Sequence, residues 1–412
     1  AVQTHHTAAA IHDPLRIRQA GADVLSLALI DARNHTLAWL AAFEPHLGAL
    51  QPGPMPDVDP PSWLAGHAAW FQEYWVARHV QRQRGEKSDA GAMRLASIDP
   101  LTDALFDPSA HARAQRWGLS LPPPQALRGY LADTLETTLD LLASTDDSDD
   151  ALFVYRLALR REDQLGEALA AAAQALQLPA AAADSPWPPR AARAPREPLW
   201  FGAQRFLLGS PPGGFVPANE RWAHEVPVLE FEIDAQALSW ARYAEFVADG
   251  GYDDARCWSA PGWAWVQAEG RRVPRYIEQM RQGVLAQRHG EMQRVSAAQA
   301  AVHVTRHEAE AWCRWAGRRL PTEVEWELAA VGGPSRGFVF GDVFEWTGGS
   351  AHGWPGHSAS IPGFSPMTQR GHTGVLRGGS WLTRARWRHP RSRRFAAPNR
   401  DELSCGFRSC AL

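Results

Sequence analysis

From residue 125 onward, Leu127, Leu131, Leu135, Leu139 and Leu142 recur at steps of three and four. That period places them on one stripe of an amphipathic helix. The acidic turn Asp146 to Asp150 can cap a following helix over 151–178, whose Ala-rich end has high helix propensity. Two earlier helices are predicted, over 15–43 and 62–84, split by the Pro-rich stretch 51–61. Four long helices joined in this way predict a four-helix bundle over 1–178.

Residues 179–198 form a boundary, Ala-rich and then carrying Pro186, Pro188, Pro189, Pro195 and Pro198. Proline blocks helix continuation and stiffens a linker. Beyond it, over 199–412, Gly, Pro and Trp are dense and apolar runs are short. Two helices are predicted there. The first covers 304–317, with Ala309, Trp312, Cys313 and Ala316 on one side; the second covers 323–331 and is opened by Pro321 and Thr322. Short strands and ordered loops fill the rest, an α+β region.

Composition adds exclusions. A chain of 412 residues exceeds what one core usually serves, in line with two domains. Net charge is −3, so no global field favours nucleic acid or an anionic membrane. No apolar run reaches the roughly 20 residues needed to span a bilayer. Residues 1–14 lack a basic-then-apolar signal pattern, and the expected location is cytoplasmic. Four cysteines in such a length do not make a disulfide scaffold, and Cys257, Cys313, Cys405 and Cys410 read as small buried thiols. Nineteen tryptophans against six tyrosines supply flat faces for packing, and such faces also suit quaternary ammonium groups.

Several stretches carry a family resemblance. Ala311-Trp312-Cys313-Arg314-Trp315-Ala316-Gly317, the run Arg319 to Glu327, Gly341-Asp342-Val343-Phe344-Glu345-Trp346-Thr347, Leu376-Arg377-Gly378-Gly379-Ser380-Trp381 and Gly406-Phe407-Arg408 occur in order. With Ala301-Val302-His303-Val304 they resemble the formylglycine-generating-enzyme (sulfatase-modifying factor) fold, also the C-terminal half of ergothioneine sulfoxide synthases. The segment 386–395 lacks the reactive cysteine pair that formylglycine generation needs. The run 61–75, around Ser62-Trp63-Leu64-Ala65-Gly66-His67, resembles the DinB-like bundle of the same synthases. The segment 391–400 and the ending Cys405 to Leu412 resemble the selenoneine synthase branch.

The resemblance implies a non-heme Fe(II) site between the halves. Oxygen-dependent C–S or C–Se bond formation would take place there on the imidazole of hercynine (N-trimethylhistidine), with a thiol, selenol or selenosugar donor. His67 matches the first iron ligand. Arg161 and Leu165 occupy the places of the other two, a His-x-x-x-His pair one helical turn apart. Arginine is always cationic and leucine has no lone pair, so neither binds a metal. Two readings of Arg161 stay open: a solvated side chain, or a cation that replaces the metal and binds a carboxylate. A tyrosine expected as acid is replaced by Ile361, in Ile361-Pro362-Gly363-Phe364. By the same resemblance Gln164 and Phe395 touch the betaine and Arg400 grips a carboxylate, with Arg116 a further candidate. Read without it, His67 is a core histidine with a satisfied hydrogen bond, Phe395 ordinary core, and the arginines of 384–400 a solvated rim.

Two functions follow. The first is an iron-dependent synthase, which needs donors beyond His67; His303, His352 and His357 are the candidates. The second is a metal-free protein that binds a hercynine-like ligand on the same scaffold. A partner subunit that modulates an active homologue is a third, weaker reading.

Overall fold

The computed structural model describes residues 2–50, 57–89, 91–179, 186–356 and 373–412. The helices are α1 (Val2–Ala10), α2 (Ala22–Phe43), α3 (Pro61–Gln72), α4 (Thr102–Phe106), α5 (Pro124–Ala143), α6 (Asp149–Ala175), α7 (Trp240–Ala248), α8 (Ala260–Glu269), α9 (Arg306–Ala316) and α10 (Glu323–Gly332). α2, α3, α5 and α6 pack together as the expected four-helix bundle. The leucine stripe is its inner seam, with Leu127, Leu131 and Leu142 fully buried. The acidic turn supplies Ser148, whose hydroxyl accepts from the Ala151 N–H, while Asp149 and Asp150 fill the first turn beside the helix dipole.

Two boundaries and two further helices differ from expectation. α2 starts at Ala22 rather than at 15, because Gly21 leaves the helical region and acts as N-cap. α3 does not run to 84: it passes into a π-helical turn, Glu73–Ala77, and ends there. α7 and α8 were not foreseen. Ser239 and Ser259 cap them, and Pro261 sits in the first turn of α8; α8 has no one-sided apolar stripe, whereas α7 carries one in Trp240, Tyr243 and Phe246.

One buried network ties all four bundle helices. Arg33 of α2 donates through Nε and Nη2, one edge of its guanidinium, to both oxygens of Glu162 of α6, at 2.7 and 2.8 Å. It also donates to Thr134 of α5 at 3.0 Å and to Gln72 of α3 at 3.1 Å. A charge this deep is tolerable only because every direction around it is answered.

The second half is built from short sheets. One has the order Arg393–Ala396, Gly374–Arg377, Phe344–Ser350, Cys405–Gly406, with Phe395 opposite Val375 and the last pair parallel. All four cysteines are buried, as expected. α6 is the seam between the halves. Its Asp163 accepts from Arg386 at 2.6 and 3.1 Å and from the Trp387 indole at 2.6 Å. Arg18 pairs with Glu220 across the same boundary at 2.7 Å. Among the described residues no helix is long and apolar enough to cross a membrane.

Removing one partner of the deepest pair should be costly. Glu162→Ala leaves Arg33 buried without a counter-charge, and the expected loss is about 3–5 kcal/mol of folding stability. Urea denaturation of the wild type and the variant checks this; a loss below about 1 kcal/mol would mean the pair is not what holds the bundle.

Candidate functional site

α3 places Trp63, His67 and Trp70 on one face, at steps of four and three. The His67 ring stacks on Trp63 at 4.7 Å and lies near Trp70 at 5.6 Å. The short helix α4 anchors this stack. Trp63 donates to the Leu105 carbonyl at 2.8 Å, and Trp70 to Asp103 at 2.7 Å. His67 Nδ1 lies 2.9 Å from the Phe106 carbonyl. That carbonyl is one of the last four of α4, which have no partner inside the helix. Gly66 makes the approach possible, since a Cβ there would sit 2.1 Å from the Phe106 ring.

With Nδ1–H donating to Phe106, Nε2 is the free lone pair of the imidazole. Arg161 of α6 takes it, with Nη2 at 2.9 Å and Nε at 3.3 Å. His67 is fully buried, and burial together with the Arg161 charge holds its pKa well below the ordinary value. Burial also lowers the Arg161 guanidinium to about 10, which still leaves it charged at neutral pH. So Arg161 is half-buried in the cavity wall and makes no ion pair with a carboxylate among the described residues. It is a cation resting on a neutral histidine, with the Phe71 ring 5.7 Å away.

A cavity of about 530 Å³ opens in front of this pair, between α6 and the strand Arg393–Ala396. Arg116, Arg161, Gln164, Leu165 and Phe395 all line it. A neighbouring cavity of about 310 Å³ shares Gln164, Glu167 and Arg394 with it and contains Arg400 and His303. The sequence candidates are therefore brought together, except His67, which stands one layer behind Arg161. Several are already engaged. Arg116 pairs with Asp59 at 2.9 Å and lies over Trp63 at 3.8 Å, and Arg400 pairs with Glu402. The Phe395 ring carries the Arg393 guanidinium at 4.8 Å, so a cation other than a ligand already sits over it. Gln164 is exposed toward the cleft and makes no hydrogen bond among the described residues.

An iron centre does not fit these residues. A facial site wants three protein donors. The one available lone pair, on His67, is occupied by a guanidinium, and the two positions on α6 hold arginine and leucine. His303 points Nδ1 at the Asp401 carbonyl at 2.9 Å, and His352 lies at the surface against the Ser350 carbonyl. Neither stands beside His67, and no group of three His, Cys, Asp or Glu is placed for a metal among the described residues. Ile361 and His357 lie outside the described residues.

Sequence reasoning missed Arg160, Arg394 and Asp59. Arg160 stood next to a residue read only as a lost ligand, Arg394 within a run read as a rim, and Asp59 inside a segment read as a loop.

Residues 201–339 match the family of the sulfatase-modifying factor enzyme 1-like domain. The chain is 30% identical to the hercynine oxygenase of Mycolicibacterium smegmatis, over 95% of this chain and 98% of that protein. It is 29% identical to the hercynine oxygenase of Mycobacterium tuberculosis, over 86% of this chain and 91% of that one. The second half alone resembles the formylglycine-generating enzyme of Streptomyces coelicolor, at 33% identity over 40% of this chain and 56% of that protein.

The neutral state of His67 has a measurable signature. Burial also depresses His303 and His389, each to about 3. An unfolded histidine takes a proton near 6.5, and the folded one refuses it. Stability is then complete above about pH 6.5 and is lost as pH falls, each such histidine adding about 1.4 kcal/mol per pH unit to the slope. Denaturant midpoints measured from pH 7.5 to 5 should show this fall. His67→Gln, whose amide can donate to Phe106 and accept from Arg161, should reduce the slope by one histidine's share; an unchanged slope would show that His67 titrates normally.

Proposed function

This chain belongs to the hercynine oxygenase family, and from that premise we propose that it takes hercynine, or a betaine of that chemistry, into the cleft between its halves without an iron centre at His67. The single observation that carries the metal-free part is the Arg161 guanidinium on His67 Nε2. The observation that supports the ligand is the free amide of Gln164, directed into the same cavity as Phe395. An amide suits an imidazole, since it can donate to one ring nitrogen or accept from the other. The betaine carboxylate would meet an arginine-lined wall, where a charge-assisted pair is roughly twice as strong as a neutral one.

The family's oxygen-dependent modification of hercynine is the second reading. The alignment over 95% of the chain favours it, because the whole two-part scaffold is retained. It requires a metal that the residues around His67 do not accommodate. Selenium or sulfur as the element transferred, and the thiol, selenol or selenosugar that would donate it, belong to this second reading alone.

Two measurements separate the readings. Calorimetric titration with hercynine should show one binding event, weakened about tenfold by Gln164→Ala, the worth of a hydrogen bond of about 1.4 kcal/mol. Elemental analysis of anaerobically purified protein should find iron well below one per chain. Iron near one per chain would reject the metal-free reading, and absence of hercynine binding would reject the ligand.

A further inference from the structure

The larger cavity is lined by eight arginines and three acids. Most of these charges are answered. Arg18 pairs with Glu220, Arg384 with Asp31 and Arg393 with Glu323. Arg113 and Arg116 share Asp59, at 3.4 and 2.9 Å. Asp163 is committed to Arg386. That leaves Arg160, Arg161 and Arg394, none of which makes an ion pair among the described residues.

The three are close enough to disturb one another. Arg160 is adjacent to Arg161 on α6 and opposes its charge, and Arg394, entering from the strand of the other half, opposes that of Arg160, while Asp59 favours the charge of Arg161 and Glu220 that of Arg160 without a direct contact. Burial is the largest influence and lowers all three guanidinium pKa values, while Glu167 favours the charge of Arg394. The acid beside them is Glu167, which accepts from the Thr383 hydroxyl. Burial raises the Glu167 pKa, opposed by the Arg394 charge nearby. Arg161 spends one edge on His67; its Nη1 group remains available to the cavity. A guanidinium has five N–H donors and no acceptor, so an acceptor beyond those of the described residues is what completes this wall. The three are half-buried, and charges without a partner in such a wall carry a desolvation cost that a bound acceptor would relieve.

We propose that Arg160, Arg161 and Arg394 form a binding site for a small dicarboxylate, standing where the family resemblance implies a metal. The forks come from two opposed walls, Arg160 and Arg161 from α6 and Arg394 from the strand Arg393–Ala396. Two separated planar carboxylates match two separated planar forks, each in side-by-side geometry. One compact phosphate meets only one wall at a time. A cavity of about 530 Å³ falls in the range that holds a small organic ligand. The proposal concerns the same cleft as the betaine reading and does not require that reading, because the site is assayed without hercynine.

The test is titration of the full chain with succinate, acetate and inorganic phosphate at constant ionic strength, by calorimetry and by thermal shift. Succinate should bind at least tenfold tighter than acetate and raise the melting temperature. Arg160→Gln and Arg394→Gln should each weaken succinate by at least tenfold while circular dichroism stays unchanged. Where a glutamine variant does not fold, Arg→Lys at that position decides, since lysine keeps the charge and loses the fork. A several-fold weakening supports the site. Equal affinity for succinate and acetate, binding of phosphate alone, or variants that bind like the wild type would each overturn it. Hercynine binding without succinate binding would overturn this site and leave the betaine reading standing.

Discussion

The contact between Arg161 and His67 is the constraint on which the rest of the cleft depends. A buried imidazole has one lone pair to give, and here a guanidinium takes it. That choice propagates in both directions. Toward the bundle it fixes the proton on Nδ1, and so binds α3 to the C-terminal carbonyl of α4. Toward the cleft it turns a neutral donor site into a positive one. No ordinary pH change reverses it, because the guanidinium stays charged and His67 stays neutral on the same side of neutrality.

Magnitudes favour the arrangement over a metal. A hydrogen bond to a charged group is worth about 1.5–3 kcal/mol, and a metal at His67 would first have to displace it. The displaced guanidinium would then stand among Arg113, Arg116 and Arg160, which already oppose its charge. What the metal would gain in return is one imidazole, since α6 supplies arginine and leucine where lone pairs are needed. The same helix shows why the cleft can keep its shape without a metal. Glu162 and Asp163 lie next to the altered positions, and they lock α6 to α2 on one side and to Arg386 and Trp387 on the other. Those two carboxylates do the joining, so the position between Arg160 and Glu162 is free to change.

The bundle was legible because helical period survives in leucine and alanine, which rarely do anything else. α8 was not, because Trp263 and Trp265 leave it no one-sided stripe, and α7 was passed over although Trp240, Tyr243 and Phe246 mark a helical face behind the Ser239 cap. The two altered positions on α6 were visible as residue types, and chemistry alone was enough to say that they bind no metal. Where Arg161 goes was not visible. That depends on α3 and α6 lying side by side, a long-range packing that a one-dimensional pattern does not contain. The commitment of Arg116 to Asp59 and of Arg400 to Glu402 was hidden for the same reason. Surplus charge in the cleft is a sum over such pairings, so it emerges only after each arginine has been assigned its partner.

That surplus also bears on how a betaine could sit. Trimethylammonium is itself a cation, and a wall with three unanswered guanidiniums repels it. Phe395, the aromatic face expected to attract it, already carries Arg393 at 4.8 Å. A cation–π contact of about 0.5–2 kcal/mol does not outweigh several like charges at short range in an enclosed site. The carboxylate end of a betaine must therefore lead toward the arginines, with the ammonium kept at the mouth where water screens it. A bound dicarboxylate would change this balance, because it cancels the repulsion that the ammonium meets. In the proposed reading the repulsion relieved at the ammonium is set against the arginines withdrawn from the betaine carboxylate, and by linkage whichever prevails changes both affinities by the same factor. The arginine that removed the metal site would in this way also couple the second ligand to the first.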